Sequence, residues 1–137
     1  MPDLDRFVSA QRGVYEDALG EIKQGRKRTH WMWFVFPQLA GLGSSSTARF
    51  YAIRDLAEAR EYLAHPVLGP RLAEISEAVV GSPAASADQL FGYPDNLKAR
   101  SSMTLFRHAG PDQPAFAAVL DRYYDGAPEP RTEELLA

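Results

Sequence analysis

The chain has 137 residues, of which 45% are hydrophobic and 24% charged, with a net charge of −3 and no cysteine. That length suits one domain able to bury a core without covalent staples, and the missing cysteine excludes disulfides, zinc–cysteine sites and thiol nucleophiles. Interspersed charges and an isoelectric point near 5.6 argue against a nucleic-acid-binding face, which is ordinarily basic.

Asp3 and Asp5 stand where a secretory signal would need a positive region and an apolar core, so a cytoplasmic protein is expected. Either acid can cap a first helix running to Gly25, with Phe7, Gln11, Val14, Ala18 and Ile22 at spacings of three and four and Tyr15 and Leu19 widening the stripe. The basic turn Arg26, Lys27, Arg28 follows at its C-terminus, where the helix dipole favours cations.

Residues 31–36 put two tryptophans, two phenylalanines, a methionine and a valine in consecutive positions, between His30 and Pro37. A run this short cannot cross a bilayer, which takes roughly 20 apolar residues, so no membrane is expected and the rest of the chain must bury it. Its period fits a strand or a helix. With no alternating partner strand elsewhere, a short buried helix over His30 to Phe36, stopped by Pro37, is expected at the centre of the core.

After a glycine- and serine-rich loop, Ser45 or Ser46 can cap a turn carrying Phe50, Tyr51 and Ile53. Asp55 with Glu58 forms a capping box for a helix with Leu56, Tyr62 and Leu63, which His65–Pro66 interrupts. Leu68, Leu72, Ile75 and Val79 mark the next helix, ending at Gly81, and Ser86 with Gln89 caps a short turn closing at Gly92. A helix from Pro94–Asp95 to about His108 places Leu97, Ser101, Thr104, Leu105 and His108 on one face, so part of a stripe expected to be buried is polar. The last clear helix spans Pro114 to about Gly126, burying Phe116, Val119, Leu120 and Tyr123. Residues 127–137 read as a short extension with one or two turns, beyond an ordered core at about 4–126. The expected architecture is therefore all-α: a single domain over 1–137, with six or seven helices around a buried aromatic segment.

Several of these blocks resemble a family. His30 through Gln38 with Gly41 to Ser44, then Glu58, Tyr62 and His65–Pro66, Leu68–Gly69, Phe91–Gly92, Asp95, Lys98 and Ser101 to Phe106 look like a bacterial domain-of-unknown-function family whose members are often named calpastatin. The resemblance spans roughly positions 5 to 136 and implies a small, mostly helical domain without an established activity. Calpastatins are long, repetitive and largely disordered inhibitors, unlike a short chain rich in core residues. One departure lies at the C-terminus, where the family tends to carry an aspartate shortly before the threonine, whereas Glu129, Pro130 and Arg131 precede Thr132 here. In element order alone, the chain is also similar to helical N-glycosidases acting on riboflavin-pathway intermediates and ADP-ribose derivatives, and no catalytic residue is carried over from them.

Two stretches set polar groups beside heavy apolar burial. The 41–46 loop could cradle an anion with its amides and hydroxyls, or could simply cap a helix; it lacks the lysine ending of a phosphate loop. His30 could act as an acid or base or be a hydrogen-bonded structural residue, Gln38 could read a ligand edge, and Trp33 could stack on a ring or fill the core. Asp95, Lys98, Arg100, Ser101, Ser102 and Thr104 form the densest polar set. Their hydroxyls either bond back to helix carbonyls or line a wet cavity, and the cavity is favoured; Lys98 is the natural cation for a phosphate, or else pairs with Asp95. The ligand set is thus His30, Trp33, Gln38, Ser44, Lys98, Ser101, Ser102 and Thr104. His65 and His108 read as helix-boundary residues. No metal and no cofactor are expected, because no histidine pair has ligand spacing, and neither serine cluster sits in a nucleophile elbow. A monomer binding a small polar or phosphorylated ligand, nucleotide or ADP-ribose-like, with glycosidic-bond cleavage as the enzyme version, stands against a non-enzymatic protein-interaction module.

Overall fold

The computed structural model describes residues 4–137, and among them helices and the loops that join them make up the chain, with no strand. Ten helices follow in order: α1 (Asp5–Gln11), α2 (Tyr15–Gln24), α3 (Met32–Val35), α4 (Ser46–Phe50), α5 (Leu56–Ala64), α6 (Leu68–Val80), α7 (Ala87–Phe91), α8 (Asp95–Ala109), α9 (Pro114–Tyr123) and α10 (Pro130–Leu136). The expected six or seven is therefore an undercount. Part of the excess arises at Gly13, whose φ of +74° breaks the helix expected to run unbroken to Gly25, since a left-handed residue cannot continue a right-handed helix. The rest comes from short capped turns that close enough hydrogen bonds to count as helices. Asp3 lies outside the described residues; Asp5 is not the cap either, since Leu4 holds that position without a side-chain bond.

The other boundaries follow their capping chemistry. Gly25, at φ +90°, donates to Ile22 O while Arg26 N–H reaches Glu21 O, a Schellman closure. Asp55 and Ser86 accept from the amides of Glu58 and Gln89, while Glu58 and Gln89 reach back to the amides of Arg54 and Ala85, one residue ahead of each cap. His65 Nδ1 accepts from the amides of Val67 and Leu68, so this histidine opens α6. Beside it, a Cβ on Gly69 would fall 2.0 Å from Leu63 O, which lets α5 and α6 meet at a tight corner.

α8 lies at the middle of the structure, packed against α3, α5, α7, α9 and α10. A chain of rings runs through the core, Phe7 to Tyr62 at 5.2 Å, Tyr62 to Phe106 at 5.2 Å and Phe106 to Phe116 at 6.0 Å. Trp31, Phe36 and Phe91 form a second group beside it. The segment expected at the centre is thus only partly interior. Trp31, Met32, Val35 and Phe36 are buried, Trp33 and Phe34 are half-buried and His30 is exposed, because a four-residue helix has too few turns to bury every side. Extended pairing among the described residues is confined to one parallel bridge, Leu39 with Ile53. No helix among them is long and apolar enough to cross a membrane.

Candidate functional site

Pro37 ends α3, and the single bridge then fixes the chain beyond it. Ile53 N–H donates to Gln38 O at 2.9 Å and Ala40 N–H donates to Ile53 O at 2.8 Å, so Gln38 leaves the core at a defined angle. The loop returns through Gly43, where a Cβ would come within 2.6 Å of Ala48 Cβ, and Ser45 caps α4 by accepting from Ala48 N–H at 3.0 Å. Capping therefore accounts for Ser45, while Ser44 Oγ stays free of protein hydrogen bonds among the described residues.

Facing this loop stand the first turns of α8 and the entry to α10. Arg100 holds that entry in place, donating from Nε to Ala127 O at 3.0 Å and from Nη2 to Pro128 O at 2.9 Å. Thr104 Oγ1 adds a bond from Glu129 N–H at 2.9 Å. Residues 127–137, read from sequence as an extension, thus pack on α8, with Thr132 completely buried.

Between the two walls lies an open cleft of about 600 Å³, within the size range of small-ligand sites. Of the eight residues singled out from sequence, Trp33, Gln38, Ser44, Lys98 and Ser101 line it; His30, Ser102 and Thr104 do not. The hydroxyl stripe of α8 also behaves differently from the expected wet lining. Ser101 donates to Leu97 O at 3.1 Å and Thr104 to Arg100 O at 2.8 Å, because a hydroxyl one turn along a helix reaches a carbonyl of its own backbone more readily than a distant partner. Ser102 is fully buried with its oxygen unpartnered. Leu97, expected in the core, is 46% exposed and forms part of the cleft wall.

Glu129 and Arg131 also line the cleft, and sequence reasoning missed both by setting the C-terminus aside. A usable signal was there: an acid followed by proline and, three residues on, threonine is a helix start. The Glu129 carboxylate accepts from the amides of Arg131 and Thr132 and from Thr132 Oγ1, and Ser101 Oγ, 3.4 Å away, shares its one proton between this carboxylate and Leu97 O. Burial by itself would raise its pKa, but these donors outweigh it and hold the group below the usual carboxylate range. Glu129 is therefore the cap of α10.

The charge around the cleft centres on Asp95. Its Oδ2 lies 2.9 Å from Lys27 Nζ and its Oδ1 3.5 Å from Lys98 Nζ. Each lysine also sits over a tryptophan, Lys27 at 5.2 Å from the Trp31 ring centroid and Lys98 at 4.9 Å from that of Trp33. Lys27, read from sequence as part of a basic turn favoured by the helix dipole, is turned inward, where the partly buried Asp95 pairs with it. On the walls themselves, Lys98, Arg100 and Arg131 face a single carboxylate, Glu129, in a chain that is negative overall.

A model of the family described as "Protein of unknown function (DUF1810)" matches residues 1–136. The crystal structure of the conserved hypothetical protein Rv1873 from Mycobacterium tuberculosis is similar to this chain at 51% identity and a TM-score of 0.95, over 98% of this chain and 96% of that one. Comparison with curated proteins gives no match.

Proposed function

The chain belongs to the DUF1810 family, and for it we propose that the cleft between the 38–45 loop and α8 binds a small polar or phosphorylated ligand of the nucleotide or ADP-ribose-like class. The observation that carries this reading is the make-up of the cleft. Three cationic side chains stand on one wall, the free Gln38 amide and Ser44 hydroxyl stand on the other, and the half-buried Trp33 indole lines the same cleft. An anionic group would meet the cations, and a ring or sugar edge would meet the amide, hydroxyl and indole.

Binding is favoured over bond cleavage. Glycosidic hydrolysis needs carboxyl groups free to carry protons or attack, whereas the amides of Arg131 and Thr132 and the Thr132 hydroxyl already occupy the oxygens of Glu129. A second reading, a protein-interaction module, draws on exposed apolar groups: Leu97 on the cleft wall and Tyr93, 79% exposed and next in the chain to the wall residue Pro94.

A thermal-shift screen over nucleotides, ADP-ribose and flavin precursors tests the ligand reading. A compound that raises Tm in the wild type and loses its effect in Lys98→Ala and Trp33→Ala supports it. A screen in which no compound raises Tm favours the interaction module.

A further inference from the structure

The Lys27–Asp95–Lys98 triad contains more than a structural ion pair requires. Asp95 is absent from the cleft wall, and so is Lys27, whereas Lys98 lines it. Lys98 therefore stands between the cleft and the carboxylate. The two lysines are also held unequally. Lys27 lies within charge-assisted hydrogen-bond distance of Asp95 at 2.9 Å, with its side chain 8% exposed. Lys98 lies at 3.5 Å, beyond that range, with 26% exposure. Among the described residues its remaining charge contact is the face of Trp33, a weak attraction to the ring's electron-rich face.

We infer that Lys98 is an exchangeable anion receptor: a phosphate or carboxylate group entering the cleft takes its ammonium from Asp95, and Lys27 keeps Asp95 neutralised when this happens. The inference rests on the ligand-binding reading of the cleft and names the group through which the ligand is held. Its physical basis is the cost of leaving a largely buried charge without a partner. Without Lys27, Asp95 would have Lys98 as its nearest cation, and an incoming anion would have to strip a carboxylate bare. With Lys27 in place, the exchange trades one long ion pair for a direct one and leaves Asp95 paired. Lys27 and Asp95 are thus positioning residues acting through Lys98, and their effects on anion affinity have opposite signs.

The test titrates inorganic pyrophosphate into the full-length protein, followed by the indole N–H signals of its two tryptophans. The Trp33 signal is expected to move as the ammonium leaves its ring. The Trp31 signal is expected to stay, since its N–H is bound to Glu21 at 2.9 Å and Lys27 does not move. Lys98→Met should abolish the response. Lys27→Met should weaken binding about tenfold, Asp95→Asn should tighten it, and the Lys27→Met/Asp95→Asn double variant, which removes both charges of the buried pair, should recover at least wild-type affinity. A purely structural triad would make both single variants weaker. Weakening by Asp95→Asn comparable to that by Lys27→Met overturns the exchange. Loss of binding in Lys98→Met with neither other variant altered overturns the exchange and leaves the cleft as a binding site. No response from the wild-type protein overturns both.

Discussion

The Glu21 carboxylate accepts the indole N–H of Trp31 at 2.9 Å, giving the largest fully buried side chain of the core its polar partner. The same carboxylate takes the amides of Arg28 and Thr29 and the hydroxyl of Thr29, so one acid at the end of α2 organises the whole turn into α3. Burial tends to raise its pKa, but these four donors prevail and hold it at about 2, from an ordinary value of 4.5.

Because that pKa is depressed in the folded protein, the associated stability is fully present above about pH 4.5 and is lost as the pH falls toward 2. The contribution is on the order of 3 kcal/mol. Urea unfolding at pH 7 and pH 3 checks it. Glu21→Gln is expected to be less stable than wild type at pH 7 and to show a flatter fall between the two pH values. Parallel curves for the two proteins would show that Glu21 is not the acid-sensitive group.

The two tryptophans are expected to part company. Trp31→Ala should cost about 3–5 kcal/mol, the range for emptying a large buried site, with a further penalty for the Glu21 carboxylate left short of a donor. Trp33 is half-buried on the cleft wall, so Trp33→Ala should cost about 1–2 kcal/mol. Equal losses in chemical denaturation would mean that both rings are core.

Gly43 is expected to be intolerant for a packing reason that can be reversed elsewhere. Gly43→Ala would drive its methyl into Ala48 Cβ and should lower stability by about 1–3 kcal/mol. Adding Ala48→Gly removes the obstruction, less the roughly 1 kcal/mol that glycine costs in a helix. Melting temperatures of the single and double variants check this; a double variant no better than Gly43→Ala would locate the constraint in the backbone.

Arg100→Ala should release the entry to α10 by deleting the bonds to the carbonyls of Ala127 and Pro128. Hydrogen exchange is the direct readout: amides of α10 are expected to exchange faster by an order of magnitude or more, about 1–3 kcal/mol of local stability, while those of α6 stay unchanged. Uniform acceleration through both helices would mean that Arg100 supports the global fold instead.

The sequence by itself determined the helical class and most element boundaries, because these depend on short-range chemistry. Serine or aspartate before an apolar period, proline early in a helix and glycine after its end act within one turn of the chain, and Asp55, Ser86, Pro114 and Gly25 each do what their local pattern dictates. The break at Gly13 escaped notice because the apolar spacing continues across it, and spacing alone does not reveal a left-handed φ. Clustering of Trp33, Gln38, Ser44, Lys98 and Ser101 was legible because both stretches mix polar groups with strong apolar character. Only the tertiary structure decided which groups of those stretches share the cleft. Ser101 and Ser102 are neighbours in sequence, yet the 100° turn between successive helical residues puts one at the cleft and the other in the core. Lys27 and Asp95, or Arg100 and Ala127, are brought together by the packing of segments far apart in the chain. A charge chooses its partner by distance and burial after folding, and no local pattern encodes either.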